Sequence, residues 1–239
     1  MFAHPKVVFL HTPKTAGVST RAALERALGP PLKGPEGMVH PSHIFIPEQA
    51  RHAPRFTVAR NPWQWHASLY QFCKERGSSN SPLLARLSRD FRDNFETTLP
   101  RLLDMSRSDL SFCARMISSQ RQGSRAELCA LGAVIKSFDA LGFYGALHNG
   151  IAGDGCDALC MSRLDVDLPA WCRARAGVDC SAPGRLNSSA SSEISWTPAM
   201  IELVRAREPF MVREFGYEFG NPTAARGVWT PAPVLAPAA

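Results

Sequence analysis

Lys14 stands in a short segment, His11 to Thr20 (HTPKTAGVST), that also holds Thr15, Gly17, Ser19 and Thr20. One cation and several hydroxyls ahead of a helix can grip an anion. The unpaired N–H groups of a helix start carry roughly half a positive charge, Lys14 adds a full one, and the hydroxyls add donors. The chemistry that this composition serves is the binding of a phosphate or a sulfate. A nucleoside-triphosphate loop would need a glycine, then four residues, then Gly-Lys-Ser or Gly-Lys-Thr. Here the lysine precedes Gly17 and no glycine lies upstream of it in the loop, which weakens that reading. An ordinary strand-to-helix turn with a solvated lysine is the plain alternative. A second cation, Arg60, opens the segment RNPWQWHAS, which ends at Ser68.

The elements that must carry these residues are legible on either side of them. Val7, Val8, Phe9 and Leu10 form a continuous apolar run rich in β-formers, as in a strand covered on both faces. Ser19 or Thr20 is placed to cap a helix with an apolar stripe of Ala22, Ala23, Leu24, Ala27 and Leu28, which Gly29-Pro30 stops. Phe56 to Ala59 reads as a second buried strand, and Pro62 suits the first turn of a helix carrying Trp63 to Lys74. Arg60 then falls at the carboxyl end of a strand, where open α/β sheets bind ligands. Ser68 falls about two turns into the following helix. Two such junctions can hold one polyanion from two sides.

The bulk properties set limits. A chain of 239 residues with 45% hydrophobic content can bury a large core, and one domain is expected. The formal charge of +6 fits an anionic partner, but 27 basic against 21 acidic residues make no polycationic tail. A small anionic ligand explains the charge as well as nucleic acid does, and no nucleic-acid motif is present. No apolar segment approaches the roughly 20 residues that span a bilayer, and the first strand begins too early for a signal peptide. A cytoplasmic protein without a membrane partner is therefore expected. The seven cysteines are odd in number, and Cys156, Cys160, Cys172 and Cys180 lack the paired C-x-x-C spacing of common zinc sites, so buried, reduced thiols are expected.

Taken in order, the two segments resemble a family. HTPKTAG with Ser19 and Thr20 is similar to the 5′-phosphosulfate loop of sulfotransferases that use 3′-phosphoadenosine 5′-phosphosulfate (PAPS). VARNPW with Ser68 and Tyr70 is similar to their 3′-phosphate segment, in which a serine follows an arginine by eight residues. DALCMSRLDVDLPAWCRARAG (Asp157 to Gly177), RLNSS (Arg185 to Ser189) and EFGYEF (Glu214 to Phe219) resemble later parts of the family more faintly. The carbohydrate type, often membrane-anchored, is the nearest in kind, and no anchor segment is seen here. One departure stands out. The family's Asp-Arg pair after Asn-Pro is replaced by Gln64-Trp65-His66, so the ion pair that would brace this helix is expected to be missing.

The resemblance implies an α/β, P-loop NTPase-like three-layer fold with a mainly parallel central sheet flanked by helices. It implies transfer of a sulfuryl group from PAPS to a hydroxyl of a carbohydrate or other small acceptor, releasing 3′,5′-adenosine bisphosphate (PAP), without a metal. Pro13, Lys14, Thr15, Ala16, Gly17, Val18, Ser19 and Thr20 would hold the 5′-phosphosulfate, and Arg60 and Ser68 the 3′-phosphate. Lys14 would also stabilise the leaving phosphate. The family often places its general base between the two motifs, where MVHPSHIFIPE supplies His40 and His43. His43 is preferred because it directly precedes IFIP, and a carboxylate such as Glu48 stays open as the base. A kinase-like phosphotransferase needing Mg²⁺ and a catalytically silent binder of PAPS or an anionic glycan are the rivals.

The sulfotransferase domain is expected to span 1–220, with 221–239 a Pro/Ala-rich tail. Between Ser78 and Val134 the pattern is helical. Phe91, Phe95, Leu99, Leu102 and Leu103, then Leu110, Phe112, Met116 and Ile117, are expected as core. Arg86, Arg89, Arg92 and Arg115 are expected on a solvated face or facing an acidic acceptor.

Overall fold

The computed structural model describes residues 1–32, 46–77, 82–105, 137–184, 194–223 and 228–229. In chain order the elements are β1 (Phe2–His4), β2 (Val7–Leu10), α1 (Gly17–Leu28), β3 (Arg55–Ala59), α2 (Pro62–Arg76), α3 (Pro82–Leu87) and α4 (Phe95–Leu103). They continue with α5 (Phe143–Ala152), β4 (Cys156–Cys160), α6 (Leu164–Trp171), α7 (Pro198–Arg207), α8 (Pro209–Phe215) and β5 (Val228–Trp229). The chain is thus α/β, with an open sheet whose central strands β2, β3 and β4 run parallel. Short antiparallel strands close both edges, and the sheet order β1-β2-β3-β4-β5 follows the chain. The two strands read from sequence are present. β1 precedes them, and Val228–Trp229 lies inside the stretch read as a tail.

The described chain divides into two compact units, one built from Met1–Ala59, Ile151–Leu186 and Arg226–Ala239, the other from Arg60–Gly150 and Asn187–Ala225. In the first unit, parallel strands alternate their side chains between two faces. Phe2, Val7, Phe9, Phe56, Val58 and Leu159 cluster with Ala23 and Leu24 of α1 and Leu164, Leu168 and Trp171 of α6. The Phe9 and Phe56 rings stack with centroids 5.1 Å apart, and Trp171 lies 4.6 Å from Phe56. Asp157 shares this core because Trp171 Nε1 donates to its Oδ2 at 2.7 Å and Arg175 donates to both of its oxygens. A buried carboxylate would be costly without those donors. Val8, Leu10, Thr57, Ala59, Ala158 and Cys160 on the opposite face are buried as well.

In the second unit α2 is started by Asn61, whose Oδ1 accepts from the Trp63 and Gln64 amides at 3.1 and 3.4 Å. Its Nδ2 donates to the carbonyls of Glu218 and Asn221 at 2.8 and 2.9 Å. The helix packs on α3, α4 and α7. Phe95, Leu99, Leu102 and Leu103 of α4 are buried as their spacing predicts. The α3–α4 turn holds Arg89, Asp90 and Phe91 in the left-handed region, with φ of 51°, 58° and 59°. Asp90 N–H to Ala85 O and Phe91 N–H to Ser88 Oγ fasten it. Arg89 and Arg101 both donate to Asp93, holding its carboxyl down at about 2, so Arg89 is engaged in the turn. Leu110, Phe112, Arg115, Met116 and Ile117 lie outside the described residues.

Cys73, Cys156, Cys160, Cys172 and Cys180 are buried and form no disulfide among the described residues. Among the described residues no helix is long and apolar enough to cross a membrane.

Candidate functional site

The β2–α1 loop is built from inside. Thr12 and Thr57 hydroxyls meet at 3.2 Å, and the buried Thr15 hydroxyl donates to Thr12 O at 2.7 Å. Helix α1 begins at Gly17, ahead of the expected cap. Ser19 and Thr20 lie within its first turn, and the capping position belongs to Ala16, which offers no side-chain bond. The Thr20 hydroxyl donates to Ala16 O at 3.0 Å. Thr15 and Thr20 therefore donate their hydroxyl protons to loop carbonyls.

Two loop residues carry backbone strain. Lys14 has φ 65° and Ala16 φ 60°, and neither is a glycine. A left-handed residue with a side chain costs about 1–2 kcal/mol. Such outliers gather at ligand sites, and interleaved left-handed residues turn successive N–H groups into anion-binding concavities. Gly17 is demanded by a close approach, since a Cβ there would lie 2.0 Å from His11 Nε2. His11 packs over the helix start, its ring 5.8 Å from that of Phe9. Burial, then the amino terminus and Lys14, lower its pKa to about 4. His11 is neutral at neutral pH, which leaves Lys14 as the full charge of this loop.

The Arg60–Ser68 segment belongs to the second unit. Arg60 donates its backbone N–H to the Tyr144 hydroxyl at 2.9 Å. Burial lowers the pKa of its guanidinium, opposed by Tyr144 and Tyr217, and an arginine so placed stays charged. Ser68 is 9% exposed, and its buried Oγ has no hydrogen-bond partner among the described residues. An unmade buried hydrogen bond costs about 1–3 kcal/mol, so the hydroxyl is suited to a polar ligand atom.

The brace expected to be missing from α2 is present in another form. His66 Nε2 meets Glu208 Oε1 at 2.8 Å, both side chains being fully buried. Trp65 stacks on Tyr144 with centroids 4.1 Å apart and planes 6° from parallel. Neither Glu208 nor Tyr144 falls in a motif that the sequence displays. Glu208 lies 142 positions from His66, and its one local signal is its place before Pro209, between two helices. His148 is buried, and burial lowers its pKa to about 4. His40, His43 and the Arg185–Ser189 segment lie outside the described residues. Among the described residues no group of three or more His, Cys, Asp or Glu stands together as a metal site.

Comparison of the chain with protein-family models, with curated proteins and with solved structures finds no match in any of the three.

Proposed function

We propose that the chain is a PAPS-dependent sulfotransferase with a P-loop-like α/β fold, acting in the cytoplasm on a hydroxyl of a carbohydrate or another small acceptor. The observation that supports this reading best is the Lys14 loop, where two non-glycine residues are held left-handed immediately before an uncapped helix start. The unpartnered buried hydroxyl of Ser68 adds to it. The acceptor oxygen attacks sulfur in line, the bond from sulfur to the 5′-phosphate oxygen breaks, and PAP departs. Lys14 stabilises the charge that grows on that oxygen. Arg60 and Ser68 hold the 3′-phosphate. His43, or His40 in its place, takes the acceptor proton, and a carboxylate such as Glu48 is the alternative base. The positive charge in this scheme comes from Lys14, Arg60 and backbone amides, so binding needs no metal.

The test is binding and turnover together. PAP binds at micromolar concentration or below in EDTA, ATP competes poorly, and radiolabelled sulfate passes from PAPS to a member of an acceptor panel. A strict Mg²⁺ requirement with ATP preferred over PAP would replace this reading with a kinase-like one. Tight PAP binding without transfer to any acceptor would leave a silent binder.

A further inference from the structure

We propose that Tyr144 is a positioning residue for Arg60, and that Glu208 and His66 hold Tyr144 in place for that task. The assignment rests on the reading of Arg60 as the 3′-phosphate ligand and extends it to residues that no donor motif contains.

Arg60 follows the last residue of β3 and precedes the cap of α2, so neither element fixes its backbone by regular pairing. Asn61 is tied to the Glu218 and Asn221 carbonyls. The Arg60 N–H has a side-chain partner instead, the hydroxyl of a residue 84 positions away. That hydroxyl is itself held at both ends of the side chain. The Tyr144 ring lies flat on Trp65 of α2. The Tyr144 and Gly145 amides, at the start of α5, donate to the Glu208 carboxylate at 2.9 and 3.2 Å, and the same carboxylate holds His66. Glu208 can reach these amides because Gly142 has no side chain. A Cβ there would lie 2.2 Å from Arg207 O and 2.5 Å from Glu208 Oε2, and its φ is +79°.

A fully buried tyrosine, fixed by stacking and by its backbone, thus presents one hydroxyl to the arginine's backbone. Bulk packing would need only the ring. The hydroxyl on the Arg60 N–H is what a positioning role requires, and Tyr144→Phe removes that and keeps the ring.

The test is a double-mutant cycle on the full chain, with calorimetric binding of PAP and of adenosine 5′-phosphosulfate, which lacks the 3′-phosphate. Tyr144→Phe is expected to weaken PAP about 2- to 10-fold, the range for one hydrogen bond, and to change adenosine 5′-phosphosulfate by less than about twofold. In an Arg60→Ala background the PAP effect is expected to disappear. A Tyr144→Phe loss that persists without the Arg60 side chain, or that is equal for both ligands, overturns the proposal and makes Tyr144 structural only. If Arg60→Ala leaves PAP affinity unchanged, or PAP does not bind, the reading of Arg60 itself falls and takes the proposal with it. Should Tyr144→Phe fail to fold, Glu208→Gln enters the same cycle, because it keeps an acceptor for the two amides and removes the charge. The same coupling supports the proposal, and its absence overturns it.

Discussion

Glu208→Ala tests the second unit at its most heavily bonded side chain. The carboxylate is fully buried and accepts from two backbone amides and one imidazole nitrogen. Truncation leaves three donors without an acceptor in a region that water does not reach. One unsatisfied buried donor costs about 1–3 kcal/mol, and breaking a buried pair from one side costs about 3–5 kcal/mol. These terms overlap because the three donors share one group, so the expected loss is about 4 kcal/mol rather than their sum. Against a typical total of about 5–15 kcal/mol that is severe. Glu208→Gln keeps an acceptor oxygen and is expected to cost about 1–3 kcal/mol. Urea unfolding followed by tryptophan emission measures both, since Trp63 and Trp65 lie in this unit. Combining Glu208→Ala with His66→Ala is expected to cost less than the two singles added. Losses below about 1 kcal/mol in both Glu208 variants, or full additivity with His66→Ala, would refute the shared carboxylate.

The other expectations concern ligand and acid. Arg60→Ala should weaken PAP by about 1.5–3 kcal/mol, the worth of a hydrogen bond to a charged group, and spare adenosine 5′-phosphosulfate; Ser68→Ala should do the same more mildly. Equal losses for both ligands in a binding titration would contradict the 3′-phosphate assignment. Lys14→Ala should lower kcat about 10²–10³-fold and PAP affinity less. His43→Ala should lower turnover about 10²–10⁴-fold with PAP affinity kept. Turnover that survives His43→Ala but not His40→Ala names His40 as the base, and survival of both points to a carboxylate. His11 and His148 have folded pKa values near 4 against 6.5 when exposed, so the unfolded chain binds more protons between those values. Stability is then full above about pH 6.5 and falls as pH drops toward 4, with an uptake approaching about two protons on unfolding. Urea midpoints that stay flat across that window would contradict the burial of both rings.

What the sequence disclosed was local. The four apolar residues at Val7–Leu10 mark β2 because a doubly covered strand needs no alternation, and Gly29 marks the end of α1 because its φ is 84°. The start of α1 lies ahead of the residues whose composition suggests a cap. Ser19 and Thr20 are good caps by composition, yet the chain enters the helix through left-handed Ala16, a conformation that no residue type there announces. β1 and β5 are three and two residues long, too short for any periodicity to show. The partner of His66, Glu208, comes from a distant helix junction, so the sequence around Gln64-Trp65-His66 does not announce this brace. The Lys14 loop and the Arg60–Ser68 spacing can be read for a proposed anion site because the residues concerned are neighbours in sequence. Glu208 and Tyr144 work only through contacts made by folding.

The two outer strands also bear on how copies of this chain keep apart in solution. β4 is a run of five buried residues, Cys156–Cys160, and such a strand left at a sheet edge offers unpaired N–H and C=O groups to any passing strand. Val228–Trp229 takes up that edge opposite Ala158 and Leu159, and Phe2–His4 does the same beside β2. Both covers are very short and run antiparallel, so they present little ladder to extend. A chain shortened to residue 220 would lose one of them and expose an apolar template for self-association. Val228 and Trp229 thereby act as a guard against aggregation.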